Sequence, residues 1–126
     1  VYKRQGLHCG WKGIVNGIIE KVLSSDNGKD LAYAFLGPHV SQANFEVQKD
    51  LISALDRANF DTSKALVEKK QAFYLSLREL CRQKLDNFSV EIINKKSECS
   101  YEKKDKLFSF RRAKAKTSNN ITFTWL

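Results

Sequence analysis

The sequence predicts a mixed α/β domain, because segments with helical periodicity alternate with short apolar segments along its 126 residues. In the first kind of segment, apolar residues recur at spacings of three and four, as on the buried face of a helix. The second kind is rich in β-branched and aromatic residues and is bounded by turn formers. A hydrophobic content of 42%, with 8 Phe and 2 Trp, can supply one core, and the length suits a single domain.

Three helices are predicted from the spacing of apolar residues. The first covers residues 11–24, with one apolar stripe formed by Ile14, Ile18 and Val22. The second is marked by Leu51, Ile52 and Leu55. The third covers residues 64–85, with a break near Gln71, and its apolar positions are Leu66, Phe73, Leu77, Leu80, Cys81 and Leu85.

Four strands are predicted between and after these helices. Residues 31–36 are a short apolar run that ends in a Gly-Pro pair, which indicates a buried strand feeding a turn. Residues 90–93, 107–110 and 121–126 are predicted as further strands, the last because apolar and polar residues alternate in it.

The composition limits the classes of function. The net charge is +8, but the lysines are scattered and accompany no recognised nucleic-acid motif. A solvated basic surface is therefore expected, with a basic nucleic-acid-binding module as the alternative. No apolar run approaches the ~20 residues that span a bilayer, and no secretory signal is recognised at the start, so we expect no membrane partner and a cytoplasmic location.

The three cysteines predict a reducing compartment, because their number is odd and their spacing is not that of a metal site. Cys81 lies on the apolar face of the third predicted helix and is expected in the core. Cys9 follows His8 directly, and neighbours on an extended segment point to opposite sides, so Cys9 is a poor second ligand for the same ion. Cys99 lies in a turn-like stretch, which leaves structural and reactive roles open.

The most informative candidate is His8, which lies between a short extended segment and the first predicted helix. An imidazole can bind a metal or transfer a proton, and Gly10 and Gly13 let the backbone turn or approach a ligand closely. A structural alternative remains open, in which His8 is buried and hydrogen-bonded to the backbone.

Four blocks of sequence resemble the laccase-domain multicopper polyphenol oxidoreductase family, also described as zinc-dependent purine nucleoside phosphorylases. Residues 8–13, His-Cys-Gly-Trp-Lys-Gly, are similar to its His-Ala-Gly-Trp-Arg-Gly. Residues 36–47 are similar to its Gly-Pro loop ending in Phe-Glu-Val. Residues 99–101 and 108–112 resemble its Cys-Thr-Tyr and Phe-Ser-Tyr-Arg-Arg blocks, and residues 123–126 close the chain as in many members.

The resemblance implies a layered α/β sandwich of the YfiH type, here as a partial domain. Family members run to roughly twice this length, so residues 1–126 are expected to be the C-terminal half of a single laccase-type domain. Residues 1–5 place polar side chains where the family has a buried strand, which raises the alternative that they are foreign to the native protein.

The resemblance also implies a zinc site of two histidines and one cysteine, with an open position for water or substrate. Only His8 matches one of these ligands, and the others belong to the family's N-terminal half. His39 is expected to be an exposed loop residue. The substrates implied are a purine nucleoside and phosphate, and adenosine deamination is a further activity to consider. The fragment alone is expected to be inactive and of low stability.

Two neighbouring arginines, Arg111 and Arg112, match the family's pair and are the candidate substrate-binding residues, because a guanidinium suits phosphate or ribose hydroxyl groups. The alternative is an ion pair or a surface position for either one. Glu46 is expected to fix the preceding loop by accepting backbone hydrogen bonds.

Other functions remain open. Some relatives are described as peptidoglycan editing factors, and the older oxidase description requires copper in place of zinc. Four residues stand where many members carry an aspartate or a Gly-Arg pair, and these departures put activity and substrate preference in question: Ser76, Ala113, Ser118 and Asn119.

Overall fold

The computed structural model describes residues 4–26, 28–114 and 120. Its helices and strands alternate, as the sequence predicts. In chain order they are α1 Trp11–Val15, α2 Ile18–Leu23, β1 Tyr33–Ala34, β2 Glu46–Val47, α3 Lys49–Arg57, α4 Thr62–Ala65, β3 Leu66–Lys69, β4 Ala72–Leu75, α5 Leu77–Asp86, β5 Glu91–Ile92 and α6 Phe110–Ala113, with a 3-10 turn at Gln42–Asn44.

The first predicted helix is interrupted, which corrects the prediction of one helix over residues 11–24. Gly17 has a φ of 78° and so takes the left-handed conformation that ends α1 and begins α2. A residue without a Cβ adopts this conformation at little cost. The predicted stripe is corrected too: Ile14 is buried, but in α2 the buried positions are Ile19 and Leu23, while Ile18 and Val22 are only partly buried.

The third predicted helix is wrong in its first half. Residues 66–75 form an antiparallel hairpin, with Leu66 paired to Leu75 and Lys69 paired to Ala72. Its two-residue turn has φ values of 50° at Lys70 and 63° at Gln71, the turn geometry that matches the twist of paired strands. The second half of the prediction is confirmed by α5.

Two further strand predictions need correction. Residues 107–110 do not form a strand, because Phe110 begins α6. Residues 31–36 do contain β1, but this strand is not buried, since Tyr33 is 65% exposed. The predicted strand at residues 90–93 is confirmed by β5, and the one at residues 121–126 lies outside the described residues.

The strands of the described residues form two small sheets. β1 pairs with β5 in parallel, with Tyr33 opposite Glu91. β4 lies between β2 and β3 in an antiparallel sheet. α5 packs against α1, α2, α4 and β5, and its Leu80 is fully buried together with Ile14, Leu55 and Leu75.

The second predicted helix is confirmed by α3, in which Leu51 and Leu55 are buried. Cys81 is also buried, as predicted from its position on the apolar face of α5. Within the ranges that the structure describes, no helix is long and apolar enough to cross a bilayer.

Candidate functional site

The Gly-Pro loop of residues 36–47 and the segments 99–101 and 108–112 contact one another around Cys99. The backbone of His39 bridges to this segment: its N–H donates to the Glu98 carbonyl at 3.2 Å, and its carbonyl accepts from Ser100 N at 3.0 Å. The sequence separation is about 60 residues, so this bridge joins the loop after β1 to the loop after β5. It places the Gly-Pro loop beside the Cys-Ser-Tyr block.

The Cys99 sulfur is buried and accepts hydrogen bonds. Ser41 N donates to Sγ at 3.2 Å, and Asn44 Nδ2 lies 3.7 Å from the same atom. Burial raises the pKa of the Cys99 thiol, but hydrogen bonds from Ser41 and from the backbone of Glu102 and Tyr101 outweigh it, so the pKa lies below its ordinary value. The thiol is thus anchored within the block contacts, which supports the structural role among the two left open.

A polar cluster covers this sulfur. Asn44 Nδ2 donates to Glu102 Oε1 at 2.5 Å and lies 2.9 Å from Ser41 Oγ. The cluster ties the 3-10 turn to the loop after Cys99. Because Ser41 and Asn44 of one loop bond to Glu102 of the other, the cluster fixes the relative position of the two loops.

Arg112 uses its guanidinium on the backbone. Nη1 donates to the carbonyls of Ser100 and Tyr101 at 2.8 and 2.7 Å, and Nη2 donates to the Leu107 carbonyl at 2.7 Å. The side chain is partly buried. These contacts close the loop of residues 100–107. The donors that make them are therefore not available to a phosphate.

Arg111, by contrast, is exposed and stacks on an aromatic ring. Its guanidinium carbon lies 4.8 Å from the centroid of Phe45. This cation–π contact positions the guanidinium without neutralising its charge. Among the described residues no hydrogen-bond partner of Arg111 is found, so of the two arginines it is the one that presents its forked donors to solvent.

His8 is exposed and lies just before α1. Its neighbours Cys9 and Trp11 pack against the core, which fixes the segment that carries it. The buried structural alternative for His8 is therefore wrong. In the part of the chain that the structure describes, no three His, Cys, Asp or Glu side chains come together to hold a metal ion. One exposed imidazole does not by itself make a zinc site.

An open groove lies between α1 and α3. Its volume is about 500 Å³, and Trp11, Lys12, Asn16 and Arg57 are among its lining residues. His8 and the arginines of α6 do not line it. The groove is thus separate from the contacts around Cys99.

Two minor expectations are corrected. His39 is partly buried, with Nδ1 2.8 Å from the Gly37 carbonyl oxygen, and so is not an exposed loop residue. Glu46 is exposed on β2. The preceding loop is held instead by Gln42, whose Nε2 donates to the backbone carbonyls of Ala65 and Tyr74 at 3.1 and 3.3 Å.

Sequence reasoning missed Asn94, which joins the ends of β1 and β5. Its Oδ1 accepts from Leu36 N at 2.9 Å, and its Nδ2 donates to the carbonyls of Leu36 and Lys96 at 2.9 and 3.0 Å. Ser97 Oγ lies 3.0 Å from Nδ2. The partners are up to 61 residues apart in this network, so no local pattern could have indicated it.

The fold and these blocks define the class of protein. The family model described as multi-copper polyphenol oxidoreductase laccase matches residues 5–126, and the chain belongs to this family. It is 31% identical over 121 residues to a purine nucleoside phosphorylase, YfiH, of Escherichia coli strain K12, a match that covers 94% of this chain and 49% of the relative. A purine nucleoside phosphorylase of Haemophilus influenzae is 27% identical over 83% of this chain and 45% of its own.

Solved structures share the fold. A crystal structure of a Neisseria meningitidis protein superposes with a TM-score of 0.69 at 24% identity, covering 83% of this chain and 44% of that one. A Bacillus licheniformis protein named YfiH gives a TM-score of 0.68 at 25% identity, covering 85% and 43%. These matches confirm the mixed α/β fold of the YfiH type. The chain spans about half the length of the relatives it matches.

Proposed function

We propose that this chain is the C-terminal half of a zinc-dependent purine nucleoside phosphorylase. The observation that carries the proposal is the 31% identity, over 94% of the chain, to a relative named for that activity. In this reaction phosphate attacks the anomeric carbon of the ribose, the bond to the base breaks, and the products are the free purine and a ribose phosphate. Phosphate is therefore a substrate that the protein must bind.

Arg111 is the residue we assign to phosphate or nucleoside binding. It is exposed, it carries a permanent positive charge, and its guanidinium lies over the ring of Phe45. A forked guanidinium can donate two parallel hydrogen bonds to one phosphate. Arg112 supports this role indirectly, since its bonds to three carbonyls fix the loop of residues 100–107 and the start of α6.

His8 is the residue we assign to zinc. Its imidazole is exposed on a segment whose neighbours are packed, which suits a ligand that must meet donors from another part of the protein. The remaining ligands, a histidine and a cysteine, would come from the half that this chain does not match. Bound zinc would supply a Lewis acid and an activated water at the open position. The three free cysteines fit a reducing compartment such as the cytoplasm.

The test uses a fused protein, in which the unmatched half of the E. coli relative is joined to residues 6–126 of this chain. We expect this fused protein to release free base from inosine and adenosine only when phosphate is present. Arg111→Ala should raise the KM for phosphate about tenfold or more, because one charge-assisted contact to phosphate is lost. Lys95→Ala removes an exposed cation elsewhere and is the matched control.

Each alternative has its own outcome in the same assay. Release of ammonia from adenosine would add deamination to the activity. Oxygen consumption with a phenol and copper would favour the oxidase description. Cleavage of a cell-wall precursor, with no phosphate-dependent base release from zinc-loaded protein, would overturn the proposed function in favour of peptidoglycan editing. Salt-sensitive binding to nucleic acid, again without base release, would favour the basic binding module.

A further inference from the structure

The groove between α1 and α3 has an apolar wall on each side. Trp11 and Val15 line it from α1, and Ala54 and Ala58 line it from α3. Residues four apart share one face of a helix, so each pair forms a continuous strip along its helix. The alanines are short and leave room above them. A volume of about 500 Å³ is within the usual range of small-molecule sites.

Two cations line the same groove from opposite helices. Lys12 and Arg57 are both exposed, and Lys12 Nζ lies 5.6 Å from the centroid of the Trp11 ring. Arg57 Nε donates to the Ser53 carbonyl at 3.2 Å, which holds the guanidinium against its own helix. The ion pairs of the described residues include neither cation, and no carboxylate lines the groove. Two positive charges therefore line one groove without a counter-charge.

These groups together favour one class of ligand. A guanidinium donates two parallel hydrogen bonds to a phosphate, and an ammonium adds a compact charge. A phosphomonoester carries about two negative charges at neutral pH and so matches the two cations, whereas a carboxylate carries one. The indole and the apolar walls favour a flat ring, because contacts between aromatic rings stabilise beyond the area they bury. Inorganic phosphate alone would leave these walls unused.

We propose that the groove between α1 and α3 is a second ligand site, which binds a phosphomonoester attached to a flat heteroaromatic ring, such as a nucleoside monophosphate. The phosphate lies between Lys12 and Arg57, and the ring packs against Trp11. This site goes beyond the proposed function, since neither His8 nor the arginines of α6 line it. No bond of the ligand is made or broken there.

The experiment measures the binding of adenosine monophosphate (AMP) to the fused protein by titration calorimetry, with a metal chelator and without free phosphate. The protein carries Arg111→Ala, so the phosphate-binding residue of the proposed function is absent. We expect one AMP site per protein. Arg57→Ala and Lys12→Ala should each weaken binding about tenfold, because each removes one charge-assisted contact. Arg57→Lys keeps the charge but loses the fork, and its affinity should lie between those of the parent and Arg57→Ala.

Lys49→Ala is the matched control, because it removes an exposed cation from the start of α3 that does not line the groove. It should change the affinity for AMP less than about twofold. Ribose 5-phosphate has the phosphate without the ring and should bind about tenfold more weakly than AMP. Adenosine has the ring without the phosphate, and its binding should not respond to Arg57→Ala. Circular dichroism checks the folding of each variant.

Several outcomes would overturn the proposal. AMP binding that is absent, or unaffected by Arg57→Ala, would exclude the groove as the site. Equal losses in Lys49→Ala would indicate general attraction to a basic surface, and equally tight ribose 5-phosphate would exclude a ring contact.

The results also separate this proposal from the proposed function. Arg57-dependent AMP binding by a fused protein that lacks phosphorolysis would support the groove site and count against the activity. Phosphorolysis without Arg57-dependent binding would overturn the groove site alone.

Discussion

The guanidinium of Arg111 stacks on Phe45 at 4.8 Å, and this contact joins the last described block of the chain to the Gly-Pro loop. Phe45 is itself buried, with 8% of its surface exposed. Arg112, the next residue after Arg111, instead donates to three backbone carbonyls. Two adjacent arginines thus have separate roles: one presents its charge, and the other closes a loop.

The first prediction separates these roles by stability. Arg112→Ala should lower the free energy of unfolding by about 2 kcal/mol or more, because partly buried carbonyls lose charged donors. Arg111→Ala should cost no more than about 1 kcal/mol, the scale of an exposed cation–π contact. Urea unfolding of both variants measures the difference. Equal losses for the two would contradict the division of roles.

The second prediction concerns pH and Cys81. Burial raises the pKa of this thiol to about 12, against about 8.5 in an unfolded chain. A raised pKa contributes stability that is complete below the unfolded value and is lost as pH rises toward the folded one. The stability advantage of the unmutated chain over Cys81→Ala should therefore shrink above pH ~8.5, by up to about 1.4 kcal/mol per pH unit.

Cys99 provides the contrast for that experiment, measured in reductant. Its pKa is lowered, so its ionised form contributes stability that is lost as pH falls through the folded pKa. The advantage over Cys99→Ala should therefore grow as pH rises toward about 8.5, the pKa in an unfolded chain, and should stay level above it, where the Cys81 advantage shrinks. Parallel pH profiles for the two variants would contradict the opposite environments described for these thiols.

The third prediction concerns close packing at Gly28. A Cβ there would lie 2.0 Å from the Val22 carbonyl oxygen, a backbone atom that cannot move away cheaply. Gly28→Ala should therefore destabilise the chain by about 2 kcal/mol or more. A Cβ at Gly37 would meet nothing within 4 Å, so Gly37→Ala is the control and should be close to neutral. Thermal unfolding of both compares them, and similar Tm values would contradict the packing.

The fourth prediction tests Asn94 as the link between the ends of β1 and β5. Asn94→Ala leaves the N–H and carbonyl of Leu36 without these partners, at an expected cost of about 2 kcal/mol. Asn94→Asp keeps the acceptor for Leu36 N but loses the amide donors. We expect the free energy of unfolding of Asn94→Asp, measured by chemical denaturation, to lie between the values for the unmutated chain and Asn94→Ala. A neutral Asn94→Ala would show that the link contributes nothing.

The sequence predicts those elements whose pattern is local. α3 and α5 carry apolar residues at helical spacing, and both are present. The hairpin is not predicted, because Leu66 and Phe73 also fit a helical spacing, while the two consecutive left-handed residues of the turn are Lys70 and Gln71 rather than glycines. Tertiary pairing with β2 overrides the ambiguous pattern there.

The candidate site divides in the same way. His8 and the arginine pair are found from motifs, because short blocks preserve them in order. The different roles of Arg111 and Arg112 depend on contacts with residues at positions 45, 100, 101 and 107. The periodicity of the sequence does not predict these contacts. The same holds for Gln42 and Asn94, since each bonds to backbone groups far away in sequence.

The zinc content of the fused protein tests the central claim most directly. We predict one zinc per fused protein, lost in His8→Ala and kept in His39→Ala, whose imidazole faces the Gly37 carbonyl within its own loop. Elemental analysis after dialysis gives the number, and circular dichroism confirms that both variants are folded. Zinc bound equally well by the His8→Ala protein would contradict the assignment of His8 and the proposed function that depends on it.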